Sequence, residues 1–148
     1  NYHPDNSHVI PALIRRFHEA KLAADPCVTV WGSGSPRREF LFVDDMAQAC
    51  LHIMGADREV YEGNTEPMCR HINIGSGTDI TIAELAAAVQ QVTGYGGNVK
   101  FDPARPDGSP QKLMSSDVVN SMGWRATVGL MDGLSRTYED FKLRCLQS

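Results

Sequence analysis

Three cationic side chains lie beside apolar runs in separate parts of the sequence. Arg16 stands in "NSHVIPALIRRFHEA", Arg38 in "SPRREFLF", and Lys112 at the end of "RPDGSPQK". Arginine binds phosphate oxygens through paired N–H groups, and lysine contributes a compact positive charge. If these cations converge on one cleft they suit a diphosphate, although composition alone favours ordinary surface charges.

The helical spacing of the first segment predicts which of its two arginines reaches a pocket. Apolar residues recur there every three or four positions, as they do on an amphipathic helix. Arg16 shares an edge with Val9 and Leu13, so its stem can pack while its guanidinium extends over a rim. Arg15 is expected to point to solvent.

Strand alternation makes a similar prediction for "RREFLF". Successive side chains of a strand point to opposite faces. Arg38 is therefore expected to share a face with Phe40 and Phe42, and Arg37 to lie on the opposite face.

Two further strings match short motifs, but each match has a simpler explanation. The string "GSGTDI" follows a predicted strand and precedes a helix, yet Ile80 occupies the third glycine position of a dinucleotide loop. A plain turn is the favoured reading. Tyr138 and Lys142 have the Tyr-x-x-x-Lys spacing of short-chain dehydrogenases, but Tyr138 shares an apolar helix stripe with Leu134 and Phe141. We interpret this second match as coincidental.

Composition argues against several classes of function. The chain has 148 residues, of which 42% are hydrophobic, and a formal net charge of −4, so no nucleic-acid-binding surface is expected. Its apolar runs are too short to cross a membrane. The four cysteines are widely spaced, which indicates reduced thiols of a cytoplasmic protein rather than a disulfide frame. Cys69 and His71 lack further ligands nearby in the sequence, so no metal site is predicted.

Alternating helices and strands predict an α/β domain with small mixed sheets. Thr81 and Glu84 have the spacing of a capping box at a helix start, and Asp44 or Asp45 is expected to cap an earlier helix. Residues 55–67 are expected to form a loop, and two helices follow residue 112. Strands are predicted at 27–31, 38–43, 70–74 and 98–101, and the other helices at 9–20, 46–54 and 82–92.

Four stretches together resemble a known family. "NSHVIPALIRRFHEA", "VTVWGSGSPRREFLFVDDMAQA", "HINIGSGTDITIAELA" and "FDPARPDGSPQKL" followed by "GW" resemble, in order and spacing, the C-terminal half of the GDP-L-fucose synthases. These enzymes are extended short-chain dehydrogenases. The resemblance implies that residues 1–148 form one sugar-nucleotide (substrate) binding region with short strands and packed helices, a fragment of a longer enzyme whose N-terminal Rossmann half is absent.

The resemblance also implies a reaction and a set of site residues. The family inverts C3 and C5 of GDP-4-keto-6-deoxy-mannose and reduces C4 with NADPH. His8 matches the histidine that donates a proton in this epimerisation, and it would lie near NADP. The positions implied for substrate binding are Arg16, Arg38 and Lys112 for the diphosphate, Trp31 for the nucleotide and Asp107 for guanine.

The resemblance also implies that parts of the catalytic machinery lie outside this chain, which limits its expected activity. The resemblance places the glycine-rich NADP(H) loop, the Ser and Tyr-x-x-x-Lys reduction machinery and the epimerisation cysteine in the missing half. We therefore expect the chain alone to be inactive for reduction, and its parent enzyme to be a cytoplasmic homodimer. Two alternatives stay open: another sugar-nucleotide epimerase or dehydratase, and a non-catalytic nucleotide-sugar-binding module.

Overall fold

The computed structural model describes residues 2–3 and 6–145 of the chain, without the side chain of Cys145. By their contacts these residues divide into two units. Unit 1 comprises the described residues of 1–36, 81–110 and 131–148, and unit 2 comprises 37–80 and 111–130. Each unit is therefore built from segments that are distant in the sequence.

Short strands and packed helices make up both units, in agreement with the predicted α/β class. The helices are α1 (Val9–Leu22), α2 (Val43–Met54), α3 (Arg58–Gly63), α4 (Ile82–Thr93), α5 (Asp117–Ser121) and α6 (Leu130–Cys145). The strands are β1 (Cys27–Trp31), β2 (Arg37–Glu39), β3 (Asp79–Thr81), β4 (Asn98–Asp102) and β5 (Gln111–Lys112).

Unit 1 is organised around the parallel pair β1 and β4. The register runs from Cys27 opposite Asn98 to Trp31 opposite Asp102. Side chains of β1 alternate between inside and outside, as expected for a strand with one buried face. This alternation leaves Trp31 outside. The core residues of the unit are Leu13, Ile14, Phe17, Ala20, Val28, Val30, Leu85, Ala86, Val89, Tyr95, Leu134, Tyr138 and Phe141.

Helix α4 begins at the capping box that the sequence predicts. The Thr81 hydroxyl accepts the Glu84 N–H at 3.0 Å, and the Glu84 carboxylate accepts the Thr81 N–H at 2.7 Å. Gly94 then ends the helix in the left-handed conformation with φ 65°. Because both ends depend on residues a few positions apart, local sequence is enough to predict this helix.

Unit 2 holds a sheet of order β3-β2-β5 and a separate hydrophobic cluster. Strands β2 and β5 are parallel, with Arg38 opposite Lys112. Ala49, Val119 and Trp124 form the buried centre of the cluster. Its half-buried members are Leu41, Ile53, Ile72, Ile74 and Ala126.

The predicted strand 38–43 is wrong beyond Glu39, and so is the predicted helix cap. Helix α2 already begins at Val43, which places Asp44 and Asp45 in its first turn. Asp45 is 1% exposed and accepts the N–H groups of Thr127 at 3.1 Å and Val128 at 2.9 Å. Its carboxylate is therefore used for a tertiary contact.

Residues 70–74, predicted to be a strand, have no regular secondary structure. Ile72 and Ile74 alternate inward as predicted and pack on the cluster of unit 2. However, no strand among the described residues pairs with this segment, and an unpaired segment is not a strand. The predicted loop 55–67 also differs, because it contains α3.

The prediction that Arg15 points to solvent is wrong. Its guanidinium donates to the Tyr2 carbonyl at 2.7 Å and forms an ion pair with Glu19 at 3.0 Å. Its Cζ atom also lies 5.9 Å from the ring centroid of Phe141. Arg15 therefore ties α1 to α6 and to the N-terminal segment.

His18 is a buried histidine within unit 1, at 6% exposure. Its Nδ1 lies 2.9 Å from the Tyr138 hydroxyl, and its Nε2 has no hydrogen-bond partner in the described part of the chain. Burial lowers the pKa of His18 below its usual 6.5, nearby Lys21 and Lys142 lower it further, and Glu19 acts in the opposite direction. Histidine in the unfolded chain therefore binds a proton at a pH where His18 stays neutral.

We expect the free energy of unfolding to fall as pH drops from 7 towards 5. In that window the unfolded state takes up a proton that the folded state excludes. Denaturant unfolding at several pH values measures the slope, which should diminish in His18→Phe. His52→Gln changes an exposed histidine and is the control. An unchanged slope in His18→Phe would assign the pH dependence to other groups.

Candidate functional site

An exposed tryptophan at the end of β1 is close to two arginines that are distant from it in the sequence. Trp31 is 61% exposed. The Cζ atom of Arg16 is 5.7 Å from its ring centroid, and that of Arg105 is 4.9 Å away. Arg16 is held in place by donating to the Thr29 carbonyl at 2.8 Å. With Trp31 and Thr29 it lines a groove of about 370 Å³, while its predicted place over the rim of a substrate pocket stays a prediction.

Asp107 is fixed by a serine two positions after this tryptophan. Its Oδ1 accepts the Ser33 N–H at 2.9 Å, and its Oδ2 accepts the Ser33 hydroxyl at 2.6 Å. These side-chain and backbone hydrogen bonds hold the pKa of Asp107 below its usual value. The carboxylate is therefore ionised at neutral pH and stays so at a lower pH than an ordinary aspartate.

A glycine turn makes room for this carboxylate. Gly32 has φ 85°, in the left-handed region, and a Cβ at this position would lie 2.4 Å from Asp107 Oδ1. The Gly32 N–H donates to the Asp102 carbonyl at 2.9 Å, which continues the β1–β4 pairing into the turn. Any larger residue would displace Asp107.

Unit 2 presents two of the predicted phosphate-binding cations side by side. Arg38 and Lys112 are opposite each other on parallel strands, which project paired residues to the same face. Arg38 donates to the Arg37 carbonyl at 2.6 Å, and this bond uses one of its five N–H donors. Arg38 and Phe40 also line one cavity of about 230 Å³.

Phe42 and Arg37, the neighbours of Arg38 in the sequence, have different surroundings from Arg38. Phe42 is absent from the lining of that cavity and instead precedes α2 as its N-cap, so its predicted place beside Arg38 is wrong. Arg37 forms an ion pair with Asp79 at 2.8 Å, and bonds from Gln111 and Arg37 lower the pKa of Asp79. Arg37 therefore stabilises the sheet of unit 2 rather than a ligand.

His8 lies directly before α1 with an exposed side chain. Its backbone carbonyl accepts the Ala12 N–H at 3.0 Å, whereas its imidazole makes no capping bond to the described N–H groups of the helix. His8 is thus the N-cap residue of α1 through its backbone, and a role for its imidazole in the reaction stays a prediction.

The glycine turn at 75–77 is a plain turn and not a phosphate loop, in agreement with the reading that the sequence favoured. The Gly77 N–H, which would face a pyrophosphate, donates to Glu39 Oε1 at 2.7 Å. A Cβ on Gly75 would also collide with the same carboxylate. A carboxylate at this position repels phosphate, so this turn offers no site for a dinucleotide.

The Tyr138–Lys142 match is also structural. The Tyr138 ring is buried, its hydroxyl contacts His18, and the Lys142 ammonium lies 5.0 Å from the ring centroid. Burial raises the pKa of Tyr138, which opposes use of this tyrosine as an acid at neutral pH. The interpretation of the match as coincidental is confirmed.

Sequence reasoning missed two residues of the site, Ser33 and Arg105. Both lie in loops rich in glycine and proline, where no periodicity reports the direction of a side chain. The structure places Arg16 next to Trp31 and Asp107 next to Ser33 in unit 1, and Arg38 next to Lys112 in unit 2. The convergence of Arg16 with the other two cations stays a prediction.

Other site chemistry is limited in the described residues. Across residues 2–3 and 6–145, no three His, Cys, Asp or Glu side chains cluster as metal ligands would. Cys27, Cys50 and Cys69 are free thiols. None of the described helices combines the length and hydropathy needed to span a bilayer.

Comparison with known proteins shows the family of this chain. The model of the NAD dependent epimerase/dehydratase family matches residues 1–75. The chain belongs to this family. Within the NAD dependent epimerase/dehydratase family it is 53% identical over 141 residues to GDP-L-fucose synthase of Escherichia coli (strain K12), a match that covers 95% of the chain and 44% of the relative. The resemblance to the GDP-L-fucose synthases is confirmed.

Solved structures of epimerase/dehydratase relatives share the fold of the chain. A GDP-6-OMe-4-keto-L-xylo-heptose reductase from C. jejuni has 30% identity and a TM-score of 0.87, covering 97% of this chain and 50% of that one. A GDP-mannoheptose C4 reductase from Campylobacter jejuni, solved with NADP bound, has 29% identity and a TM-score of 0.81, covering 96% and 48%. The chain thus spans about half the length of the relatives it matches.

Proposed function

We propose that this chain is the substrate-binding part of a GDP-L-fucose synthase. The full-length enzyme would epimerise GDP-4-keto-6-deoxy-mannose at C3 and C5 and reduce C4 with NADPH, giving GDP-L-fucose. The observation that carries the proposal lies in unit 1: Arg16 is next to the exposed ring of Trp31, and the Asp107 carboxylate is held at Ser33, two positions further along the chain. An aromatic ring, a carboxylate and an arginine can contact the base, its N–H donors and the phosphates of a nucleotide.

Asp107 is the proposed reader of guanine. A carboxylate accepts two hydrogen bonds at once, and guanine offers N1–H and the N2 amine on one edge. Adenine and uracil cannot supply both donors. The hydrogen bonds from Ser33 hold both oxygens of Asp107 in place, which supports this role. Trp31, with its face exposed, would contact the base or ribose.

Arg16, Arg38 and Lys112 are the proposed partners of the diphosphate. Two of them are already neighbours across β2 and β5. A guanidinium binds phosphate in a fork geometry, and an ammonium adds charge without that directionality.

His8 is the proposed proton donor of the epimerisation. The C4 ketone makes the hydrogens on C3 and C5 acidic, so a base can remove one proton while an acid returns another from the opposite face. An imidazole suits the return step because its usual pKa lies near neutrality. The exposed ring of His8, which caps nothing on α1, supports this assignment.

The cofactor is assigned to the other half of the enzyme. NADPH, when bound, supplies the hydride for C4. The turn at 75–77 does not fit its phosphates, because Glu39 occupies the N–H group of Gly77. His8 would lie near NADP without building its site. We propose a cytoplasmic homodimer for the parent enzyme, with a GDP-sugar as its substrate.

We expect the full-length enzyme to bind GDP more tightly than ADP or UDP, and Asp107→Asn to remove much of this preference. The NH₂ group of the introduced asparagine would face an N–H donor of guanine. Two donors would then oppose each other, at a cost of about 1–3 kcal/mol. Isothermal titration calorimetry with the three nucleotides measures the preference.

Asp102→Asn, at the end of β4, is the matched control. It removes one charge but keeps an oxygen for the Ala104 N–H, which Asp102 accepts at 3.1 Å. An unchanged GDP preference in Asp107→Asn would mean that guanine is recognised elsewhere. A preference for UDP in the wild type would favour another sugar-nucleotide epimerase or dehydratase. Binding of GDP without NADPH-dependent turnover would favour a non-catalytic binding module.

A further inference from the structure

We propose that Ser33 is a positioning residue that sets the carboxylate of Asp107 for base recognition. The inference rests on the proposed reading of guanine by Asp107 and adds a determinant of its specificity. Ser33 and Asp107 are 74 positions apart in the chain, so their contact joins the turn after β1 to the loop after β4. Both oxygens of the carboxylate are held by this one residue.

The hydroxyl of Ser33 is fully committed by its neighbours. It donates to Asp107 Oδ2, and it accepts the Ser35 N–H at 3.1 Å. The Ser35 hydroxyl lies 2.7 Å away and is its remaining donor, because the Ser33 proton is already directed at Asp107. This arrangement fixes the direction of the Ser33 hydroxyl and, through it, the plane of the carboxylate.

The hydrogen bonds from Ser33 leave the number of acceptor sites that guanine needs. A carboxylate has about four lone-pair sites, and Ser33 uses one on each oxygen. One site per oxygen is then available for two parallel donors. An exposed carboxylate without these bonds would rotate freely, so its orientation would have to be fixed at the expense of binding free energy.

The glycine turn supports the same arrangement. Gly32 allows the carboxylate to approach the backbone, because a Cβ there would overlap Asp107 Oδ1. Its left-handed φ directs the next N–H, that of Ser33, at the same oxygen. Gly32 and Ser33 therefore form one recognition element with Asp107.

Calorimetry on two Ser33 variants of the full-length enzyme, beside Asp107→Asn, tests the proposal. Ser33→Ala removes the hydroxyl but keeps the backbone N–H, and we expect the ratio of GDP to ADP affinity to fall about tenfold, the effect of losing one charged hydrogen bond. Ser33→Thr keeps a hydroxyl and should restore the ratio. Affinity for inorganic pyrophosphate, which has no base, should stay unchanged in both.

A pH series supplies a readout that a purely structural role would not move. Without the Ser33 hydroxyl, the pKa of Asp107 should rise towards its usual value. As the pH is lowered, Asp107 in Ser33→Ala should therefore take up its proton earlier, and the loss of GDP affinity should begin at a higher pH than in the wild type. Circular dichroism checks that the variants fold.

The outcomes separate this inference from the function on which it rests. If Asp107→Asn loses the GDP preference while Ser33→Ala keeps both the preference and the wild-type pH profile, the positioning role of Ser33 is overturned. It is also overturned if Ser33→Thr folds but fails to restore the ratio. If Asp107→Asn keeps the preference, the proposed reading of guanine fails first.

Discussion

Replacing His8 by glutamine in the full-length enzyme is expected to block inversion at C3 and C5 while leaving GDP affinity nearly unchanged. Glutamine retains hydrogen bonding but cannot release a proton near neutral pH. A general acid contributes about 10²–10⁴-fold to a rate, and we expect a loss of this size in the epimerisation step. Such a loss with constant affinity is the signature of a group that acts in the transition state.

The local structure at His8 can accept a glutamine without loss of a contact to α1. Helix α1 starts through the His8 backbone carbonyl, which accepts the Ala12 N–H, and a glutamine backbone does the same. The imidazole makes no capping bond to the described residues of α1, so the substitution removes none. A loss of activity in His8→Gln would therefore report on chemistry rather than on folding.

Deuterium incorporation at C3 and C5 from heavy water, followed by NMR, measures the step directly. Arg16→Ala is the matched comparison on the same helix, and we expect it to weaken GDP-sugar binding with a smaller effect on the bound-state rate. If His8→Gln exchanges and inverts at the wild-type rate, another group supplies the proton. If both variants lose affinity equally, His8 belongs to the binding contacts.

Replacing Asp45 by alanine is expected to lower the free energy of unfolding by about 2–4 kcal/mol, because it leaves several donors without an acceptor around a buried side chain. Its carboxylate accepts the Thr127 N–H, the Thr127 hydroxyl at 2.9 Å and the Val128 N–H. These bonds hold segment 127–128, which lines the same cavity as Arg38. The effect should thus reach one of the proposed substrate contacts.

Denaturant unfolding gives the change in free energy, and hydrogen exchange of the Thr127 and Val128 amides locates it. Asp44→Ala is the control, since it removes an exposed carboxylate one position earlier in α2. We expect only a small change there. Protection of the two amides that survives in Asp45→Ala would show that solvent or another acceptor replaces the carboxylate.

Some elements of this protein follow from sequence because their interactions are local. The capping box of Thr81 and Glu84, the alternation along β1 and the apolar stripe of α6 each depend on residues a few positions apart. Short-range spacing determines which side chains share a face. The family and the set of candidate site residues also came from sequence, through the order and spacing of four stretches and not through any single motif.

Other features were decided only by tertiary structure. Propensity predicted a strand at 70–74, but a strand needs a partner, and pairing is a property of the whole sheet. Asp45 looked like a helix cap, yet its carboxylate binds N–H groups some 82 positions away. Local rules cannot rank such a contact, because a buried carboxylate takes whichever donors the fold brings to it.

The candidate site itself combines both kinds of information. Sequence resemblance selected Trp31 and Asp107 but gave no reason for their surroundings. The structure shows that Ser33 and the turn at Gly32, which follow β1, hold Asp107 in the loop that follows β4. Hydrogen bonds between distant loops leave no periodic trace in a sequence, so the partner that orients Asp107 became visible only once β1 and β4 were paired.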